Sequence, residues 1–226
     1  MNILLEGGAE FGGQMSEPDL RAIELAGGPD APIAILPTAA APDNNHERAG
    51  RNGQRWFRSL GASHIDLVPV TDKPSADNPE LASRIRAAKL IYLLGGFPRY
   101  LGETLANSRV WLAALEAYKE GAIIAGSSAG AMVLCEYYYD PYSKGLLPGL
   151  NLLSNVCVLP HHNNFGKQWV EQLIKLLPNS LLIGIDEQTG MICDHGSWSV
   201  HGAGKVTLYR SGKRPKVHVR SEIFNI

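Results

Sequence analysis

The sequence predicts an α/β fold, a mostly parallel sheet flanked by helices with a β meander at its C-terminal end. Three observations carry that expectation. Short apolar runs alternate with helical patterns along most of the chain, which is how repeated βαβ units read. Runs such as KLIYLL are apolar at successive positions, as in strands buried on both faces. In the C-terminal third, short strand patterns follow one another closely.

The elements come in order. NILLE is the first strand, and Ser16-Glu17-Pro18-Asp19 opens a helix. IAILP is the second strand, followed by a helix that reaches Leu60. HIDLVPV is the third strand, and Asn78-Pro79-Glu80 reads as an N-cap with proline at the first helical position. KLIYLL is the fourth strand. After Gly95-Gly96, helical stretches start at Pro98 and Val110, and Gly121 leads into the strand AIIA. An irregular excursion, YYYDPYSKGLLPGL, precedes the strand NVCVL and a helix near Lys167 to Leu176. LLIGI, GMIC, WSVHG and KVTLYR are the strands of the expected meander.

The 226 residues suit one sizeable core, so one domain is expected over 1–226. The 21 basic and 22 acidic residues are interspersed and leave a formal charge of -1. That balance carries no electrostatic footprint for nucleic acid or an anionic membrane, and a small molecule or peptide is the default substrate. Cys135, Cys157 and Cys193 are odd in number and lie in apolar runs, which reads as free thiols in a reducing compartment. The opening apolar run has no basic segment before it and meets an acid at Glu6, so it is expected to be a buried strand and not a signal peptide. No apolar stretch approaches the ~20 residues that span a bilayer. Cytoplasmic residence is the expectation.

Gly126-Ser127-Ser128-Ala129-Gly130 fits G-x-S-x-G between an apolar strand and a helical pattern, the setting a nucleophile elbow requires. Small residues flank Ser128 because a side chain at either glycine would collide with the neighbouring strand and helix. Helix initiation at Ala129 aims free backbone N–H groups at a developing oxyanion. Ser127 is the rival nucleophile, but it breaks the glycine register. Gly95-Gly96, ending an earlier strand, is a candidate for a second oxyanion donor.

A serine hydroxyl needs a base, and His161, His162, His195 and His201 follow the elbow. His161 stands first, because it ends the strand NVCVLP at its carboxyl end, where ligands meet in open parallel sheets. The base needs an acid to hold its tautomer. Glu136 and Asp140 lie between serine and histidine, and Asp140 is the better placed to fold back.

These segments resemble the serine peptidases that include peptidase E, an aspartyl dipeptidase, and cyanophycinase. The likeness rests on ILLEGGAE at 3–10, LLGG at 93–96, GSSAGAMVL at 126–134, LPHH at 159–162 and GIDEQTG at 184–190. It implies a flavodoxin-like architecture shared with class I glutamine amidotransferases. It further implies Ser128 as nucleophile, His161 as base, an acid between them, and the Gly96 and Ala129 N–H groups as the oxyanion hole. Asp186 and Glu187 are then expected to hold a substrate ammonium. Phe97 stands where the family usually has Asn, and Arg99 beside it is a candidate for a substrate carboxylate.

The reaction so implied is hydrolysis of an amide bond in a small peptide, with no metal or organic cofactor. An esterase of the α/β-hydrolase type also uses G-x-S-x-G, but its histidine normally follows the acid near the C-terminus. The other alternative is an inactive scaffold that binds a metabolite or partner. The Tyr-rich excursion is open to two roles, packing on a partner in a homodimer or roofing the active site.

Overall fold

In the computed structural model, which describes residues 2–226, the first half of the chain winds as the apolar runs direct. β1 (Ile3–Glu6), β2 (Ile33–Leu36), β3 (Ile65–Leu67), β4 (Leu90–Leu93) and β5 (Ile123–Ser127) are joined by α1 (Ser16–Leu25), α2 (His46–Ser59), α3 (Lys73–Ala76), α4 (Pro79–Arg86), α5 (Pro98–Leu105) and α6 (Arg109–Lys119). Every residue of β1, β2, β4 and β5 is buried, so these strands carry helices on both faces. Asn78 caps α4 as its sequence suggests, its side chain accepting from the N–H groups of Glu80 and Leu81.

α7 (Ala129–Val133) follows β5 directly, and a hairpin of β6 (Tyr137–Asp140) and β7 (Gly145–Pro148) occupies the stretch expected to be irregular. Then come β8 (Val156–Leu159), α8 (Val170–Leu176), β9 (Leu181–Ile185), β10 (Thr189–Asp194), β11 (Ser197–Gly202), β12 (Lys205–Tyr209), β13 (Lys216–Val219) and β14 (Ile223–Phe224).

Among the described residues, the main sheet has the order β14-β11-β10-β1-β5-β4-β2-β3. β1, β5, β4, β2 and β3 are parallel, and β10, β11 and β14 extend the sheet antiparallel from β1. The remaining strands form a second sheet, β13-β12-β9-β8, in which β8 and β9 run parallel. The late strands therefore divide between two sheets, β10 and β11 lengthening the main one and β12 and β13 the smaller one. That division matters for function, because it carries the ends of β8 and β9 to the carboxyl end of β1 and β5. There the His161 N–H donates to Gly7 O at 2.7 Å and the Ser128 N–H donates to Glu6 O at 3.0 Å.

The three cysteines are free and buried, and no helix among the described residues is long and apolar enough to cross a membrane.

Candidate active site

Ser128 sits between β5 and α7 with φ +49° and ψ -108°, a backbone conformation that costs an L-residue on the order of 1–3 kcal/mol. The two glycines of the pentapeptide make it possible. A Cβ on Gly126 would lie 2.5 Å from the Gly130 carbonyl carbon, and one on Gly130 would lie 2.3 Å from Leu93 O. The turn is thus closed against backbone on both sides, and it leaves Ser128 partly exposed while Ser127, the rival serine, is fully buried.

Ser128 Oγ is 2.8 Å from His161 Nε2. His161 Nδ1 is 2.8 Å from Glu187 Oε1, which makes one line of hydroxyl, imidazole and carboxylate. Neither acid that the sequence offered for His161 lies beside it. Asp140 is buried at the end of β6, where its carboxylate accepts from the N–H groups of Tyr142 and Ser143 and from the Ser143 hydroxyl. Glu136 accepts from the Asn155 N–H at 2.7 Å. Asp140 is held by a local turn and Glu136 by the segment before β8, and neither bonds to His161.

Glu187 and Asp186, expected to hold a substrate ammonium, are engaged otherwise. Glu187 faces His161, and Asp186 is buried against His162 with Nδ1 and Oδ1 3.3 Å apart. The histidines and acids are brought together because β8 and β9 are parallel neighbours, so the residues just past their ends lie side by side. His195 and His201 serve elsewhere, in pairs with Asp194 and Ser199.

Gly96 and Ala129 both line the cavity that contains Ser128 and His161, and neither N–H has a protein partner among the described residues. Gly96 has φ +140°, and a Cβ there would be 2.3 Å from Ala39 O, so glycine is required. Sequence reasoning missed the residue that braces this loop. The Glu10 carboxylate accepts from the Gly95 N–H at 3.2 Å, and burial raises its pKa. Its signal was the acid closing ILLEGGAE.

The cavity has a volume of about 290 Å³, and Met132, Pro141, Tyr142, Phe165 and Trp169 supply much of its wall. The tip of the β6–β7 hairpin therefore roofs the site. Phe97 stacks on Tyr142 with ring centroids 5.3 Å apart, and behind that wall lies an outer cavity of about 530 Å³. Arg99 lines the outer cavity, exposed and ion-paired with Glu103 at 2.8 Å, so it does not reach Ser128 from this position.

No group of three or more His, Cys, Asp or Glu among the described residues is arranged to hold a metal ion.

A serine hydroxyl in a strained turn, an imidazole in contact with it and a carboxylate behind the imidazole form the arrangement of a class, the serine hydrolases built on an α/β sheet. Comparison with known proteins narrows the class. The model of peptidase family S51 matches residues 3–200, and the chain belongs to that family. A cyanophycinase from Synechococcus elongatus is 30% identical over 199 residues, which is 82% of this chain and 60% of that protein. The chain thus spans 60% of the length of that relative. A cyanophycinase from Geminocystis herdmanii is 28% identical over 92% of this chain and 79% of its own length. The crystal structure of a peptidase from an acI-B1 Actinobacterium matches with a TM-score of 0.89 at 30% identity, covering 100% of this chain and 96% of that one.

Proposed function

We propose that the chain is a serine peptidase that cleaves an amide bond in a small peptide through an acyl-enzyme, with Ser128, His161 and Glu187 as its triad. The observation that carries this reading is the unbroken line Ser128 Oγ–His161 Nε2, His161 Nδ1–Glu187 Oε1, each contact 2.8 Å long.

In the first half-reaction His161 Nε2 takes the Ser128 proton as Oγ attacks the substrate carbonyl. The Gly96 and Ala129 N–H groups stabilise the negative charge that develops on the carbonyl oxygen. His161 then passes the proton to the leaving amine as the C–N bond breaks. In the second half, water loses a proton to His161 and attacks the acyl carbon, and as the acyl–Oγ bond breaks His161 returns that proton to Ser128 Oγ and the carboxylic acid leaves. Glu187 fixes the tautomer that presents a bare Nε2 to the serine and stabilises the imidazolium that forms in each half.

The small cavity, walled by aromatic and proline rings, suits a dipeptide or one terminal unit of a longer chain. Arg99 is the candidate partner for a substrate carboxylate that extends past Tyr142. A panel of dipeptides and β-aspartyl peptides tests the reading, with Ser128→Ala as control. Turnover that vanishes in the variant is the expected result. Silence across the panel, together with no labelling of Ser128 by a fluorophosphonate, overturns it.

A further inference from the structure

Directly behind the reacting pair lies a second histidine–acid pair built from the neighbouring residues. His162 Nδ1 faces Asp186 Oδ1 at 3.3 Å, and its Nε2 is 2.8 Å from the Tyr209 hydroxyl. His162 is 5% exposed and Asp186 4%, so no substrate reaches them. The donors sort themselves by chemistry: the carboxylate accepts from Nδ1–H, and the Tyr209 O–H donates to Nε2. Both ring nitrogens are then satisfied in a neutral imidazole, and burial, which lowers the His162 pKa, favours that form. The second Asp186 oxygen accepts from the Lys205 N–H at 3.2 Å. The set thus ties the ends of β8 and β9 to β12.

The same two segments carry the reacting groups. His161 precedes His162, and Glu187 follows Asp186. A third tie runs alongside, since Asn163 Oδ1 accepts from the Glu187 N–H at 2.9 Å. The Glu187 carbonyl accepts from the Thr189 hydroxyl at 3.1 Å, and that hydroxyl accepts from the Gly204 N–H at 2.8 Å. The reacting pair is wet, with side chains 20% and 35% exposed, whereas the pair behind it is dry, at 5% and 6%. Water competes for the first and not for the second. A satisfied polar network in a dry interior is directional and holds its geometry.

Taking the triad reading as its basis, we propose that His162, Asp186 and Tyr209 are positioning residues that set the distance and angle between His161 and Glu187.

The test is Tyr209→Phe, which removes one hydroxyl, with His162→Ala and His162→Asn beside it. Three quantities are read: the fluorophosphonate labelling rate of Ser128, kcat against KM on a peptide substrate, and the downfield proton resonance of His161 Nδ1–H. Tyr209→Phe is expected to keep its fold and KM, to lose about tenfold in kcat and labelling rate, and to broaden the resonance or move it upfield. His162→Ala loses more, and His162→Asn, whose amide restores a donor to Asp186, recovers part of the loss. The proposal is overturned if labelling and resonance stay as in the wild type, or if rates fall only in step with the folded fraction. The two readings fail separately. A wild type that does not label, but whose resonance responds to Tyr209→Phe, defeats the peptidase reading alone. A labelled wild type whose resonance ignores Tyr209→Phe defeats the positioning alone.

Discussion

Gly8 and His161 are so close that a Cβ on Gly8 would lie 2.2 Å from His161 Cε1. Gly8 has φ +110°, and the imidazole fills the space its side chain would take. On its other side His161 stacks on Phe165, with centroids 4.8 Å apart. The base is therefore clamped between the loop after β1 and the segment after β8. Gly8→Ala is expected to push the ring off the Ser128 line and to lower kcat by about 100-fold. Steady-state kinetics check this, with thermal melting to show that the fold persists. An unchanged kcat would mean that the ring is not held by this contact.

Glu187→Gln keeps the shape of the triad but replaces the acceptor that fixes the His161 tautomer. The expected loss in kcat is on the order of 10³–10⁴-fold. Asp140→Asn and Glu136→Gln, whose carboxylates make no bond to His161, should each stay within about tenfold of the wild type. Kinetics of the three variants decide between the acids. Loss confined to Asp140→Asn would restore the order first read from the sequence.

The His161–Glu187 contact shows what the sequence carried and what it did not. The elbow was legible because its requirements are local: Gly126, Ser128 and Gly130 are fixed by one turn, and the strand and helix around it are contiguous. His161 was legible by its place at the end of an apolar strand. That contact depends on pairing between β8 and β9, which brings residue 187 beside residue 161 across an intervening helix. Nothing in the spacing of the chain reports that register. The β6–β7 hairpin was hidden for a similar reason, since Tyr138 and Tyr139 are buried by distant partners such as Trp169 and not by a local pattern.

Beneath the elbow, Glu6 and Asp19 are fully buried, and one oxygen of each carboxyl, Glu6 Oε1 and Asp19 Oδ1, has no hydrogen-bond partner among the described residues. Tyr92 donates to Glu6, and Trp56 Nε1 donates to Asp19 Oδ2 at 2.7 Å. Burial, followed by the charge of Asp19, raises Glu6, and burial raises Asp19 to about 7. Both acids bind protons more tightly folded than unfolded, so folding takes up protons. The contribution of Asp19 to stability is fully present below about pH 4 and is lost as pH rises through about 7. Asp19→Asn removes a charge that is buried above that pH while leaving an acceptor for Trp56. Its melting temperature should exceed that of the wild type by roughly 5–10 °C at pH 8, with the gap closing toward pH 5. Parallel melting curves across that range would show that the pair does not titrate.

The last prediction concerns the wall between the two cavities. Tyr142 is 69% exposed, yet it stacks on Phe97 and lines both the cavity of Ser128 and the outer cavity of Arg99. A ring so exposed contributes little to the core, and its removal should leave the melting temperature within about 2 °C. Truncation to alanine instead joins the two cavities and exposes the face of Phe97. A substrate that fits the inner cavity then loses one wall, so KM should rise about five- to tenfold while kcat stays near the wild-type value, because Ser128, His161 and Glu187 make no bond to the ring. A longer peptide that reaches Arg99 gains room, and its kcat/KM should fall less or rise. Comparing a dipeptide with its extended form in Tyr142→Ala separates these outcomes. A loss of kcat for both would place the ring in the chemistry, and equal changes in KM for both would mean that the wall does not sort substrates by length.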